Sequence, residues 1–244
     1  EELLSTAREL YELLIKPVEK AMEPEARICM VPHGVLHYLP FQALHDGKRY
    51  LIEKRDIFYS PSSSVLKLCK SKASRDRLNL IGKNFPETQI FVGRKATASV
   101  FFEKAPGYSL VHLATHGLYD NLNPMKSGLL LAEDRLLTVK EIFQSRLNAN
   151  LVTLSACETA LGKNTDGDAL IGMNRAFLYA GTPTVVSTLW KIADTATVEI
   201  MVDFYSNLKN MDKASALRNA QITAMEEYPN PYYWAAFKLT GDWS

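Results

Sequence analysis

The sequence predicts an α/β fold in which a mostly parallel sheet is covered by helices on both faces. Three short, almost wholly apolar runs are typical of buried parallel strands: LVHLATH at 110–116, LVTLSAC at 151–157 and TVVSTLW at 184–190. Segments with helical spacing of their apolar residues alternate with these runs. Strands that alternate with helices of this length favour a parallel sheet built from crossover units.

Length and composition are those of an ordinary globular protein. With 244 residues, of which 47% are apolar, the chain can bury a sizeable core as one large domain or two small ones. A formal net charge of +1 does not predict binding to nucleic acid or to a membrane surface. No long uncharged apolar run is present, so we expect no membrane span.

The cysteine usage points to a reducing compartment. Cys29, Cys69 and Cys157 are unclustered and do not suggest a disulfide framework, so a cytoplasmic location is expected. Cys29, His33 and His37 recur at four-residue spacing, which would suit a metal only on a helix. Because this stretch is expected to be a strand followed by a turn, no metal site is predicted.

The first elements come from the N-terminal part of the chain. Residues 2–22 carry an apolar stripe at helical spacing, and Pro17 should kink or restart that helix. The chain opens inside this helix, which suggests a module of a longer protein. Strands are predicted at 26–31 and 54–60, and a helix capped by Ser62 at 62–70.

The remaining elements follow from the same signals. The tail of a helix is expected to end at Phe85 and Pro86, and Thr97 should cap a helix that runs to Lys104. Residues 128–137 are typical of a hairpin. The other predicted elements are a short strand at 89–92, helices at 138–145, 168–180, 194–208 and 213–228, and a final strand at 237–240.

The runs 110–116 and 151–157 have the same length and character, and they end in His116 and Cys157. Neighbouring strands lie about 4.8 Å apart. In parallel and in register, these strands would bring both side chains to the carboxyl edge of the sheet, where open α/β sheets hold their sites. A histidine–cysteine dyad is therefore one interpretation. The other makes Cys157 a small buried hydrophobe and His116 a loop residue.

The chemistry of such a dyad needs further groups nearby. A thiol attacks as the thiolate, which an adjacent imidazole promotes or stabilises. The tetrahedral oxyanion needs N–H donors, which the backbone amides of Gly117 and Cys157 could supply. Gly117 would also let a substrate backbone come close to the histidine.

Several motifs closely resemble those of CHAT domains, which are caspase-like and separase-like modules often found after tetratricopeptide repeats. The motifs are VPHGVLHYLPFQAL (31–44), VHLATHG (111–117), LSACETALG (154–162), ALIGMNRAFLYAGTPTVVSTLW (169–190) and NPYYWAAFKLTGDW (230–243). The resemblance implies a caspase-type α/β fold and proteolysis by His116 and Cys157. Two departures are the stretch 73–80, where the family usually has an additional strand and a longer loop, and His33, where an acidic residue is expected.

The resemblance also implies a domain organisation and a set of partners. Residues 1–22 would be a linking helix from an upstream tetratricopeptide repeat region, and residues 23–244 the CHAT domain, with an N-terminal part at 23–86 and a catalytic part at 87–244. A protein substrate would bind as an extended peptide, without a metal or organic cofactor. A regulatory partner is expected, which in some family members is an RNA-guided complex; direct binding of nucleic acid or a membrane is not.

The segment WKIAD (190–194) follows the third strand and should border the cleft. In separase-like relatives an acidic residue in this segment helps to receive the side chain before the scissile bond, and Asp194 is the matching residue, with Trp190 beside it. Alternatively, Asp194 is the N-cap of the next helix. The predicted function is a regulated cysteine endopeptidase; the alternative is a catalytically silent docking module.

Overall fold

The structure of the protein, a computed structural model, describes residues 2–23, 26–73, 88–120, 122–155, 157–160 and 168–244. The helices are α1 (Glu2–Leu14), α2 (Lys16–Glu19), α3 (Leu51–Lys54), α4 (Ser63–Ala73), α5 (Ala98–Lys104), α6 (Val139–Gln144), α7 (Asp168–Ala180), α8 (Asp194–Asn207), α9 (Lys213–Glu227) and α10 (Pro231–Trp234). The strands are β1 (Ile28–Met30), β2 (Ile57–Tyr59), β3 (Leu110–Leu113), β4 (His116–Tyr119), β5 (Gly128–Leu130), β6 (Leu136–Thr138), β7 (Leu151–Leu154), β8 (Cys157–Ala160), β9 (Thr184–Thr188) and β10 (Phe237–Gly241).

The main sheet has six strands in the order β1-β2-β10-β9-β7-β3. Neighbouring strands are parallel except β9 and β10, which are antiparallel. The predicted α/β fold with a mostly parallel sheet is therefore confirmed. The N-terminal strands β1 and β2 belong to the same sheet as the C-terminal strand β10.

Helices cover both faces of this sheet. Leu151 and Val152 of β7 belong to different core clusters, because successive side chains of a strand point to opposite faces. Burial of each such large apolar side chain contributes about 1.5–3 kcal/mol to folding. Residues that α8 and α9 contribute to one cluster include Ile200, Met201, Phe204, Ala216, Leu217 and Ala220. Residues that α5, α6 and α7 contribute to the other include Phe101, Val139, Ile142, Met173, Ala176 and Phe177.

A second sheet of four strands, in the order β6-β5-β4-β8, continues from the first. Its strands β5 and β6 form the predicted hairpin. The single strands predicted at 110–116 and 151–157 are wrong in one respect, because each divides into two: β3 and β4, and β7 and β8. The physical reason is that β4 leaves the main sheet to pair with β5 on its other side. His116 and Cys157 consequently begin strands and do not end them.

The N-terminal helices lie on a third core cluster, in which Tyr11 and Ile15 pack with Phe41, Leu44 and Leu51. As predicted from Pro17, the helix is interrupted, and α2 restarts with this proline in its first turn. The predicted strand at 54–60 is shorter, since residues up to Lys54 form α3.

One predicted element is wrong and one lies outside the described residues. Residues 89–92 are described and form no strand. Ile90 is 77% exposed and Val92 69% exposed, so within the described ranges these side chains have no neighbouring strand or core to pack against, and their β-propensity does not produce a strand. The helix tail predicted to end at Phe85 and Pro86, and the domain boundary at residue 86, lie outside the described residues.

Candidate active site

His116 and Cys157 occupy paired positions on adjacent parallel strands. Leu113 at the end of β3 pairs with Leu154 at the end of β7. Three residues after each of these leucines, β4 and β8 begin with the pair His116 and Cys157. The register predicted from the equal lengths of the two runs is therefore the observed one. His116 is exposed to solvent, so a ligand can reach its imidazole.

Hydrogen bonds hold the backbone where the two sheets part. On the histidine side, the Thr115 hydroxyl donates to the carbonyl oxygen of Leu130 in β5. On the cysteine side, the backbone amide of Ser155 donates to the carbonyl oxygen of Leu113 at 3.1 Å. These contacts fix the residues that immediately precede β4 and follow β7.

Gly117 follows the histidine in β4 and is buried. A Cβ atom at this position would lie 3.0 Å from the hydroxyl oxygen of Tyr119 and 3.1 Å from its ring. Because Tyr119 is itself only 5% exposed, the ring has little room to retreat. The close approach of this ring therefore favours glycine beside His116.

A network that the sequence analysis missed lies next to this pair, on the strands β3 and β7. Nε2 of His112 lies 2.9 Å from the Ser155 hydroxyl oxygen, and Nδ1 lies 3.1 Å from the hydroxyl oxygen of Tyr205 in α8. Tyr205 in turn donates to Oγ1 of Thr153 at 2.8 Å. A signal was present in the sequence, since His112 is a polar residue inside an otherwise apolar strand.

Burial changes the titration of this network. His112 keeps solvent-accessible surface, yet the protein atoms around its ring desolvate the imidazolium and lower the pKa of His112. Desolvation also raises the pKa of Tyr205 to about 12, although its hydrogen bond to Thr153 opposes the shift. Near neutral pH both side chains are therefore uncharged.

Trp190 lies two residues beyond the end of β9, the neighbour of β7 in the main sheet. Ser187 of β9 pairs with Leu154 of β7, and Trp190 is three residues beyond Ser187, as Cys157 is three beyond Leu154. Its indole Nε1 donates to the carbonyl oxygen of Tyr232 at 2.8 Å, and the two rings stack with centroids 6.3 Å apart. Trp190 and Tyr232 thus form a fixed aromatic pair beyond the end of β9.

Asp194 is the first residue of α8, and the N-cap is Ala193. The alternative that Asp194 caps this helix is therefore wrong. A carboxylate in the first turn still interacts favourably with the helix dipole, which explains its place without a cap. Asp194 is exposed to solvent.

The described residues contain no group of three or more His, Cys, Asp or Glu side chains that could hold a metal. Cys29 lies in β1, His33 has extended backbone and His37 lies in a short 3-10 helix at 34–38. Burial raises the pKa of the Cys29 thiol, against the opposing charge of Lys70.

Within the same described ranges, no helix is long and apolar enough to cross a membrane.

Comparison with known proteins finds similar curated proteins and similar solved structures. Tetratricopeptide repeat protein 28 of Mus musculus is 36% identical over 109 residues, which are 43% of this chain and 4% of that protein. The Arg-specific cysteine proteinase gingipain R of Porphyromonas gingivalis has a TM-score of 0.55 and 12% identity, and the match covers 99% of this chain and 67% of that chain. The Saccharomyces cerevisiae separase–securin complex has a TM-score of 0.44 and 13% identity, over 88% of this chain and 16% of that chain.

The chain spans a small fraction of the length of Tetratricopeptide repeat protein 28, so that protein's other properties do not transfer to it. At its low identity, the likeness to gingipain R concerns the fold, which is caspase-like. The sequence profile of the CHAT domain matches residues 4–84 and 71–242, nearly the whole chain. This protein therefore belongs to the CHAT domain family and has a caspase-like fold.

Proposed function

We propose that this chain is a cysteine endopeptidase with Cys157 as the nucleophile and His116 as the general base and acid. The observation that carries the proposal is the pairing of His116 with Cys157 at the start of adjacent parallel strands. Strand spacing of about 4.8 Å lets two side chains on the same face of such a pair approach hydrogen-bond distance. The caspase-like fold supports the same reaction class by analogy.

The reaction follows from these groups. The Cys157 thiolate adds to the carbonyl carbon of the scissile peptide, and the backbone amides of Gly117 and Cys157 stabilise the oxyanion. The C–N bond then breaks while protonated His116 gives its proton to the leaving amine. A water molecule, deprotonated by His116, hydrolyses the thioester and restores the thiol. This sequence needs no metal or organic cofactor.

The substrate would be a protein bound as an extended peptide along the edge beyond β9. The aromatic pair of Trp190 and Tyr232 offers an apolar wall there, because Tyr232 is 48% exposed. The exposed carboxylate of Asp194 would receive the side chain before the scissile bond, and its charge favours a basic one. Trp190 and Asp194 are thus proposed to set cleavage preference.

Regulation from outside the domain is part of this proposal, because an unrestrained protease would harm its own cell. Helices α1 and α2 would join the domain to an upstream tetratricopeptide repeat region, as the likeness to Tetratricopeptide repeat protein 28 suggests. An activating partner, for example an RNA-guided complex, would act through that region in the cytoplasm. Constitutive cleavage of a partner by the full-length protein would contradict this part of the proposal.

The test is cleavage of a denatured proteome or peptide library by the wild type and by Cys157→Ala, with new termini identified by mass spectrometry. The proposal predicts termini that appear only with the wild type and share a preferred residue before the cut. Identical termini with both proteins would contradict it. If neither protein cleaves even with its activator present, the domain is a docking module that keeps the fold without the activity.

A further inference from the structure

We propose that His112 is a positioning residue for Cys157, which it serves by tying α8 and β3 to the backbone that leads into β8. The inference rests on the proposed function, since it assigns a role in the reactivity of the same thiol. Neither His112 nor its partners would touch the substrate in this role. His112 and Tyr205 would act by holding Ser155, which lies two residues before Cys157.

Three elements meet at the His112 ring. His112 in β3 pairs in register with Thr153 in β7. Its Nε2 is hydrogen-bonded to Ser155, just beyond the end of β7, and its Nδ1 to Tyr205, near the end of α8. The Tyr205 hydroxyl also donates a hydrogen bond to Thr153 in β7. A movement of α8 relative to the sheet therefore strains both bonds of Tyr205 and, through the His112 ring, the bond to Ser155.

The directions of the hydrogen bonds follow from the single proton of Tyr205. Because Tyr205 donates to Thr153, its oxygen accepts from Nδ1–H of His112. Nε2 is then unprotonated and accepts the Ser155 hydroxyl proton at 2.9 Å. This arrangement requires a neutral imidazole, which agrees with the lowered pKa of His112.

Ser155 is held twice, and the second tether is the one that His112 supplies. Its backbone amide is bound to Leu113 at 3.1 Å, and its side chain is bound to His112. The backbone bond restrains the chain along the strand pair, whereas the side-chain bond restrains the rotation of the residue. A displacement of about 1 Å at a reacting group can cost about 100-fold in rate. Loss of the side-chain tether should therefore be visible in the reactivity of Cys157.

The experiment measures the rate of alkylation by iodoacetamide at each cysteine of the folded full chain, with the peptides resolved by mass spectrometry. Tyr205→Phe removes one hydroxyl from the network, and Ser155→Ala removes another. The matched control is Tyr228→Phe, because the Tyr228 hydroxyl bonds Glu199 on the same helix α8 at 2.9 Å, outside the network. Cys69, which is 2% exposed, reports general loosening of the core.

We expect Tyr205→Phe and Ser155→Ala each to slow alkylation of Cys157 by about tenfold or more, in line with the sensitivity of reactivity to placement. The double variant should be little slower than either single one, because each substitution breaks the same connection from α8 through His112 to Ser155. Ser155→Thr, which keeps the hydroxyl, should retain most of the wild-type rate. Tyr228→Phe should react as the wild type does.

Unchanged Cys157 rates in Tyr205→Phe and Ser155→Ala would overturn the positioning role and leave the proposed function standing. A fall at Cys157 accompanied by faster alkylation of Cys69 would also overturn it, since that pattern indicates general unfolding. A wild-type Cys157 that reacts no faster than Cys29 would overturn both proposals together.

Discussion

His116 and Cys157 stand at the same offset from a paired residue of the main sheet. Leu113 pairs with Leu154, and the histidine and cysteine each follow three residues later and pair again. The register of the partly buried edge strand β3 and the buried strand β7 therefore continues into the smaller sheet. Apolar packing of those strands on both faces therefore determines the relative height of the two candidate catalytic residues.

Gly117→Ala should destabilise the protein by about 1–3 kcal/mol, the usual cost of overpacking a filled site. The new methyl group would meet the Tyr119 hydroxyl oxygen at 3.0 Å. Gly172→Ala in α7 is the control, because a Cβ atom there meets no atom of the described residues within 4 Å and alanine is the better helix former by about 1 kcal/mol. Urea unfolding would compare the two variants. If Gly117→Ala and Gly172→Ala changed the free energy of unfolding equally and in the same direction, the Tyr119 ring would move aside without an energetic cost, and the prediction would be wrong.

Stability should fall in acid in a way that depends on His112. Its pKa in the folded protein is lowered by desolvation below the ordinary value of 6.5. The neutral ring therefore contributes stability that is complete above about pH 6.5 and is lost as the pH falls through the folded pKa. Urea midpoints from pH 7.5 to pH 5 should fall more steeply for the wild type than for His112→Gln. His45, whose pKa is also lowered, is present in both proteins, so parallel curves would argue against this contribution of His112.

Lys54→Met should loosen the N-terminal helices. The ammonium of Lys54 contacts Asp46 at 2.7 Å, Glu19 at 3.2 Å and the Tyr11 hydroxyl at 3.1 Å, which joins α2 and α1 to the domain. These groups are partly buried, so we expect a loss of about 1–2 kcal/mol, between the values for exposed and buried ion pairs. Hydrogen exchange of residues 2–20 would measure it. Lys104→Met, which breaks an exposed pair with Glu103, should leave this exchange unchanged.

The Lys54 contact with Asp46 also has a definite pH dependence. Burial alone would raise the pKa of Asp46, but hydrogen bonds from Lys54 and from the Arg49 and Lys48 amides outweigh it and lower that pKa. The stabilisation is therefore complete above about pH 4 and is lost as the pH falls toward the lowered value. Protection of residues 2–20 that is independent of pH below 4 would contradict this assignment.

Asp194→Asn should change the cleavage preference far more than the melting temperature. The residue is exposed in the first turn of α8, where an amide loses only a favourable helix-dipole interaction of about 0.3–1 kcal/mol. If its charge receives the substrate side chain, the preferred residue before the cut should become less basic. The same peptide library, read with wild type and variant, would measure this. A lower melting temperature with an unchanged preference would show that the carboxylate serves the helix alone.

Local signals predicted much of this fold. Thr97 accepts a hydrogen bond from the Val100 amide, which is the cap that the sequence predicted. The helix predicted at 138–145 forms over Val139–Gln144, where Thr138 and Glu141 cap it reciprocally. Two runs of equal length gave the pairing of His116 with Cys157, because both lie in strands that sequence composition identifies as buried.

Features that depend on distant partners could not be predicted. The insertion of β10 between β2 and β9 is determined by pairing across the whole chain. The division of each long run into two strands reflects the hairpin that pairs with β4. His112 is explained by Tyr205, which lies 93 residues away in sequence.

The central claim is that His116 activates Cys157. The most direct measurement is the pH dependence of iodoacetamide alkylation at Cys157 in the wild type and in His116→Ala, with Cys29 in the same sample as the reference. We predict that alkylation of wild-type Cys157 titrates at a lower pH than alkylation of Cys29. His116→Ala should shift that profile upward and slow the reaction at pH 7 by about tenfold or more, because the imidazole no longer favours the thiolate. A Cys157 profile that coincides with that of Cys29, or that does not change in His116→Ala, would contradict the account.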